Sequence, residues 1–181
     1  AFNSSMLRRS RQRIQDLGFF ANVNVENVPG SQGDKTVIQV DVEEQSTGSF
    51  SIGAGFSTSD GVLGQVGMTE RNLLGRGQTL AVNLSLSAER QNYAISFTEP
   101  YFLDRQLTAG FYLFHTRRDL QDESSFDLKD TGFGLRSGYK STDKRSQSIN
   151  YRFSRQRVDN VADDASEFVK ALGGEHYLSE V

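Results

Sequence analysis

The chain has 181 residues, about the length of one ordinary domain, with 36% apolar and 24% charged residues and no cysteine. The lack of cysteine excludes disulfide scaffolds, thiol catalysis and cysteine-ligated metal sites. Because the formal net charge is −3 and the sequence pI is about 5.4, the chain lacks the positive field of nucleic-acid-binding proteins, and we expect no nucleic-acid partner.

No stretch of the sequence has the ~20 predominantly apolar residues that a membrane-spanning helix needs. The mean hydropathy of −0.51 is typical of a soluble protein, but transmembrane β-strands alternate apolar and polar residues and leave the same average. Residues 1–4 lack the charged start and the apolar run of a signal peptide. We therefore expect either a cytosolic protein or an internal piece of a longer chain.

The first 45 residues predict a small α+β unit. Residues 4–17 have apolar side chains at helical spacing, with Ser4 or Ser5 as the N-cap and Gly18 at the stop position. Two strands are predicted at residues 19–28 and 35–43, joined by a turn-rich segment. Since one helix and one hairpin form a very thin core, this unit is expected to be incomplete.

Beyond Gln45 every predicted segment has a period of two. We predict seven strands, at residues 49–58, 62–72, 79–88, 93–98, 107–116, 131–139 and 147–155. The first strand places Phe50, Ile52, Ala54 and Phe56 on one face, with only serine and glycine between them. A long charged loop is expected at residues 117–125, and the acidic segment beyond Val158 loses the alternation.

Strands of this length with short connections predict an antiparallel up-and-down barrel, either soluble or transmembrane. The polar face distinguishes the two, because a soluble barrel needs charged residues towards water. Here that face is mostly Ser, Thr, Asn and Gly, which is typical of a barrel lumen. Single-chain bacterial barrels have an even number of strands, so we expect seven strands to be part of a chain cut on both sides.

Motifs for chemistry are absent from the sequence. His115 and His176 lie far apart without a zinc-binding pattern, and residues 53–58 lack the third glycine of a dinucleotide loop. We therefore expect no enzymatic activity, no cofactor and no metal site.

Five motifs carry a resemblance to a known family. They are Leu17-Gly18-Phe19-Phe20, Val28-Pro29-Gly30-Ser31, the segments VEEQSTGSF at residues 42–50 and ERNLLGRG at residues 70–77, and FTEPYF at residues 97–102. In this order they make residues 1 to about 158 resemble the BamA family, the central subunits of the machinery that assembles β-barrels in the outer membrane of Gram-negative bacteria.

The resemblance implies a mainly β fold, the N-terminal part of a transmembrane antiparallel β-barrel preceded by the end of an α+β POTRA domain. Residues 1–46 would be the C-terminal part of the last POTRA domain, in the periplasm. Residues 47–158 would be the first seven barrel strands, in the outer membrane, and residues 159–181 the start of an extracellular loop. The implied partners are unfolded outer-membrane proteins, lipoprotein subunits of the assembly complex and outer-membrane lipid.

The resemblance also implies two sites. The first barrel strand would be a lateral gate that templates client strands, because main-chain hydrogen bonds can pair with many sequences. It comprises Ser49, Phe50, Ser51, Ile52, Gly53, Ala54, Gly55, Phe56, Ser57 and Thr58. The second site, a periplasmic rim, comprises Glu99, Pro100, Tyr101 and Phe102, where proline ends strand pairing.

Alternative interpretations remain open at this point. The glycines of the first strand would weaken its seam with a closing strand, or they would simply relieve crowding on the lumen face. The protein would be an assembly factor, or a passive pore of the same superfamily, either TamA-like or of the two-partner secretion type. An unrelated soluble barrel that binds an apolar ligand is the third interpretation.

Overall fold

A computed structural model of the chain describes residues 4–31, 35–142, 145–163 and 165–181. The chain divides between Thr47 and Gly48 into two compact units. In the part of the chain that the structure describes, no helix is long and apolar enough to cross a membrane.

The first unit contains one helix and one hairpin, which confirms these predicted elements. Helix α1 is Ser4–Asp16, strand β1 is Phe20–Pro29 and strand β2 is Thr36–Glu44. The helix ends at Asp16, and Gly18, two residues later, has a φ of +70° that suits glycine. Val23 is fully buried, and its carbonyl accepts a 2.9 Å hydrogen bond from Arg11 Nε. Of the predicted turn between the strands, residues 32–34 lie outside the described residues.

The second unit is an eight-stranded antiparallel sheet whose strands follow one another in chain order. Each strand after the first therefore pairs with the strand before it, as in an up-and-down barrel wall. The strands are β3 (Gly48–Ser57), β4 (Gly61–Leu73), β5 (Gln78–Ser87), β6 (Arg90–Glu99), β7 (Leu107–Leu120), β8 (Phe126–Thr142), β9 (Arg145–Asp159) and β10 (Gly174–Glu180). The first seven of these correspond to the seven predicted strands.

The predicted long loop at residues 117–125 is wrong. Strand β7 continues to Leu120, a single helical turn, α2, follows at Gln121–Ser124, and β8 begins at Phe126. The charges in this segment do not end the strand because they pair with residues of the neighbouring strand. Arg117 lies 3.5 Å from Asp127, for example, so the charged stretch belongs to the ladder.

The expectation that residues 159–181 form only a loop also needs correction. Helix α3 (Glu167–Leu172) begins at Ser166, whose Oγ accepts a hydrogen bond from the N–H of Val169. Strand β10 follows and pairs with β9 in register. Its short alternation is masked in the sequence by charged residues, but Tyr177 stacks on Phe153 with ring centres 6.1 Å apart.

The register divides the second unit into two faces. Apolar side chains meet across the strands on one of them, which we call the apolar face: Phe50 is opposite Met68, for instance, and Phe97 is opposite Phe111. The other, polar face carries Ser, Thr, Asn and Gly on β3 to β6, as the alternation predicts. On β7 to β9 it also carries rings and ion pairs.

Candidate functional site

Strand β3, the predicted lateral gate, lies at the edge of the eight-stranded sheet. Among the described residues it pairs with β4 alone, in a continuous register from Gly48 opposite Glu70 to Ser57 opposite Gly61. In an antiparallel ladder, the main-chain N–H and C=O groups of alternate residues point away from the existing partner strand. This edge therefore presents a row of donors and acceptors to any further strand.

Nine of the ten residues predicted for this site lie in β3. Thr58 does not, because the strand ends at Ser57 and a turn begins there. Ser57 Oγ accepts hydrogen bonds from the N–H groups of Ser59 and Asp60 at 3.3 Å each. These bonds form the turn that starts the return strand, so Thr58 has left the ladder.

Large apolar side chains project from β3 on the apolar face of the sheet. Phe50, Ile52 and Phe56 are 69%, 77% and 75% exposed. Each faces an apolar partner on β4, so the strand alternates as the sequence predicts. Because a slip of one residue would move all three side chains to the polar face, this pattern determines the register of pairing.

Few side-chain contacts join β3 to β4 on the polar face. Ser51 Oγ donates a long 3.4 Å hydrogen bond to the carbonyl of Gly67. Gly53 and Gly55 have no side chains to pack, and Gln65 and Leu63 lie over them on β4. The main-chain ladder therefore supplies most of the attraction, which is the type of pairing that tolerates different partner sequences.

The four predicted rim residues lie together at one end of the sheet. Strand β6 ends at Glu99, Pro100 and Tyr101 form a turn, and a 3₁₀ turn begins at Phe102. Tyr101 and Phe102 are 57% and 42% exposed. Pro100 lacks the N–H needed to continue the ladder, and three residues further on Leu103 has a φ of +56°, so the chain reverses sharply here.

Glu99 links this turn to the neighbouring one. Its Oε1 accepts a 3.0 Å hydrogen bond from the N–H of Tyr101, and its Oε2 accepts one of 2.6 Å from Gln78 Nε2. Glu99 is the last residue of β6. Sequence reasoning missed Gln78, although counting the β5–β6 register back from its turn places it beside Glu99.

Comparisons with known proteins agree with this architecture. Residues 72–178 match the model of the Omp85 superfamily domain. The chain is 33% identical over 181 residues to the outer membrane protein assembly factor BamA of Nitratidesulfovibrio vulgaris, an alignment covering 98% of this chain and 22% of that protein. It is 31% identical over 140 residues to BamA of Neisseria meningitidis serogroup B, covering 75% of this chain and 18% of that protein.

Two solved structures show the same fold. BamA from Haemophilus ducreyi lacking POTRA domains 1–3 superposes with a TM-score of 0.76 at 21% identity, covering 97% of this chain and 36% of that chain. CdiB from Acinetobacter baumannii superposes with a TM-score of 0.55 at 16% identity, covering 90% and 34%. The chain thus spans about a fifth of the length of the two curated relatives described above and about a third of these structures.

These matches decide several of the sequence predictions. The resemblance to the BamA family and the outer-membrane location are confirmed, as is the mainly β, antiparallel barrel-wall fold. The assignment of residues 1–46 to a periplasmic POTRA domain stays a prediction. Since the family model covers more than half of its residues, the chain belongs to the Omp85 superfamily.

Proposed function

We propose that this protein folds and inserts β-barrel proteins into the outer membrane, and that β3 acts as a lateral gate on which client strands are templated. The observation that carries the proposal is the position of β3, an apolar-faced strand at the sheet edge, joined to its neighbour mainly by main-chain hydrogen bonds. Relatives named as outer membrane protein assembly factors support it.

The proposed mechanism solves a problem of main-chain hydrogen bonding. A strand entering lipid with unpaired N–H and C=O groups loses several kcal/mol for each group. Strand β3 offers such a strand main-chain partners along one of its two edges before it leaves water. No covalent chemistry is involved, so the protein is not an enzyme under this proposal. Its partners are unfolded outer-membrane proteins, with lipoprotein subunits of the assembly complex beside them.

The rim formed by Glu99, Pro100, Tyr101 and Phe102 has a supporting role in this proposal. Exposed aromatic rings at the end of a membrane strand suit the headgroup region. The hydrogen bonds of Glu99 hold the turn that carries them. We assign the rim to the periplasmic side, where it places β5, β6 and β7 at a common depth.

Cysteine cross-linking tests the gate. Residues 1–181 contain no cysteine, so Ser51→Cys in the intact protein introduces the single thiol of this part of the chain, on the polar face of β3. A second cysteine near the C-terminus of a stalled client porin is then moved in steps of one residue. We expect a disulfide that follows a fixed register, because the Cα atoms of bonded cysteines must lie within about 7 Å.

The matched control is Ser85→Cys, on the same face of β5 but between two paired strands. It should form no disulfide with the client. If no position in residues 49–58 cross-links while the barrel is folded and the client is present, the gate proposal is wrong.

A passive protein-translocating pore of the same superfamily is the second candidate. Such a pore predicts ion conductance through its lumen without any cross-link to β3. Single-channel recording on the same cysteine variants therefore separates the two candidates.

A further inference from the structure

Charged side chains continue the apolar face of the sheet at the end where β7 turns into β8. Arg117 on β7 lies directly opposite Lys129 on β8, and Lys129 lies directly opposite Arg157 on β9. These three residues form what we call the cationic row. Like charges directly opposite each other destabilise a sheet, and here the carboxylates of Asp127, Asp159 and Glu175 offset that repulsion.

The rows on either side of the cationic row are ordered by polarity. Towards the middle of the sheet come first His115, Thr131 and Arg155, and then the apolar Leu113, Phe133 and Phe153. On the opposite side, towards the turn, come Asp119, Asp127 and Asp159. The cations thus lie between the apolar face and the carboxylates.

The side chains of the cationic row are more exposed than those of Asp127 and Asp159. Asp127 and Asp159 side chains are only 3% and 18% exposed, whereas those of Arg117, Lys129 and Arg157 are 41%, 38% and 49% exposed. Asp159 is shared by Lys129 at 3.0 Å and Arg157 at 2.6 Å. Asp127 and Asp159 are therefore covered by the cations, whereas Glu175, opposite Arg157 on β10, is 40% exposed and lies 3.8 Å from Arg157. Arg117 and Lys129 each have one carboxylate contact and keep further donors for an external anion.

The carboxylates also hold the row in place. Asp127 accepts hydrogen bonds from Asn160 Nδ2 at 2.8 Å and Gln121 Nε2 at 3.1 Å, besides its contact with Arg117. Asp127 is thus fixed by three side chains, and through it so is the guanidinium of Arg117. Such preorganisation reduces the entropy lost when an anion binds.

The row lies at the depth along the strands that is expected of a lipid headgroup. Rows two residues apart are separated by about 7 Å along a strand, so the cationic row lies about 14 Å along the strand from the apolar row of Leu113, and less in depth because barrel strands are tilted. Neighbouring strands are about 4.8 Å apart, so Arg117 and Arg157 are separated by about 10 Å. Two phosphates fit along such a row, and guanidinium groups bind phosphate in bidentate fashion.

We infer that the cationic row Arg117, Lys129 and Arg157 binds a membrane lipid whose headgroup carries more than one phosphate. The inference rests on the membrane placement in the proposed function, with the row in the leaflet opposite the rim, and is independent of client templating. The lipid's acyl chains would lie over Leu113, Phe133 and Phe153. Its phosphates would contact the exposed sides of the cations, beside the carboxylates that already pair with them.

The test uses the intact protein in nanodiscs of phosphatidylcholine with a fixed fraction of lipid A carrying two phosphates. Native mass spectrometry counts the lipid A molecules that remain bound after release. The variant R117Q/K129Q should retain about tenfold less, since two exposed charge contacts contribute about threefold each. Lipid A with one phosphate should bind more weakly to the wild type and distinguish the variants less.

The matched control is R90Q/R118Q. Arg90 and Arg118 are also directly opposite each other at the same end of the sheet, but they lie on the polar face. This control should retain lipid A like the wild type. Equal loss in both variants, or equal retention in R117Q/K129Q and the wild type, would overturn the inference. So would binding of inorganic pyrophosphate to the row in detergent without any retention of lipid A.

Folding and gating are measured separately on the same variants. If R117Q/K129Q fails to fold, K129Q alone serves, because Asp159 keeps Arg157 as its partner; it should retain about threefold less lipid. Ser51→Cys cross-linking in each background reports the gate. If the row variant retains lipid like the wild type while Ser51→Cys still cross-links to the client, only the lipid site is refuted. If the row variant loses lipid as expected but Ser51→Cys cross-links in neither background, only the gate is refuted.

Discussion

The β3–β4 hairpin and the β7–β9 region use glycine in opposite ways. In the hairpin, a Cβ added at Gly64 would meet no atom within 4 Å, and one at Gly55 would make only ordinary contact with Leu63, while those at Gly53 and Gly67 would meet the polar ends of side chains and no ring. In β8, a Cβ at Gly134 would overlap the ring of Tyr112, its register partner on β7. Phe114 lies against Gly132 in the same manner.

The difference shows how one residue type loosens one seam and tightens another. A glycine beneath an aromatic ring lets the ring lie flat on the neighbouring backbone and recover apolar contact. A glycine without such a neighbour only removes packing. The polar face of the β7–β9 region also contains a close ion pair. Arg152 on β9 contacts Asp130 at 2.8 Å and lies 4.5 Å from the centre of the Phe114 ring.

The largest expected effect comes from filling the glycine beneath Tyr112. Gly134→Ala should destabilise the folded barrel by about 2 to 3 kcal/mol because the ring has to move. Gly64→Ala, the matched control in β4, should change stability by less than about 0.5 kcal/mol. Urea unfolding of the intact protein in lipid vesicles measures both. Equal effects would contradict the distinction between the two regions, whereas partial rescue of Gly134→Ala by Tyr112→Ala would attribute the cost to the ring.

A smaller effect is expected from the ion pair. Arg152→Gln should cost about 1 to 2 kcal/mol, because the Asp130 side chain is only 14% exposed and loses its charged partner. Arg90→Gln removes a 3.7 Å contact with Asp60 from a half-exposed arginine and should have almost no effect. The same unfolding assay compares them. If D130N/R152Q is no more stable than Arg152→Gln, the loss does not come from an unpaired carboxylate.

The smallest effect concerns the rim. Gln78→Ala removes the 2.6 Å hydrogen bond to Glu99 Oε2 and should cost about 1 kcal/mol or less. The same unfolding assay measures it. A loss as large as that of Gly134→Ala would mean that the rim contact matters more than the packing beneath Tyr112.

Local periodicity predicted most of this fold, because alternation of apolar and polar residues is a property of each strand. The helix, the seven strands and the apolar face of β3 all follow from it. Strand β10 and the continuation of β7 to Leu120 did not, since their charged residues are compensated only by partners on neighbouring strands. The edge position of β3 rested on the family resemblance, because pairing order is not encoded in a single strand. The Gln78–Glu99 contact likewise depends on register across two strands.

Strand length gives the barrel wall an uneven height. Strands β3, β5 and β6 have 10 residues, whereas β7, β8 and β9 have 14, 17 and 15. Since about 9 to 11 residues cross a bilayer, β8 has about six residues, or 20 Å of strand, to spare. In a membrane the wall therefore rises out of the bilayer beside β8, whereas β3 is no longer than the span itself and lies next to β4 with 13 residues. The strand proposed to receive clients is thus one of the shortest in the wall and lies far from its highest part.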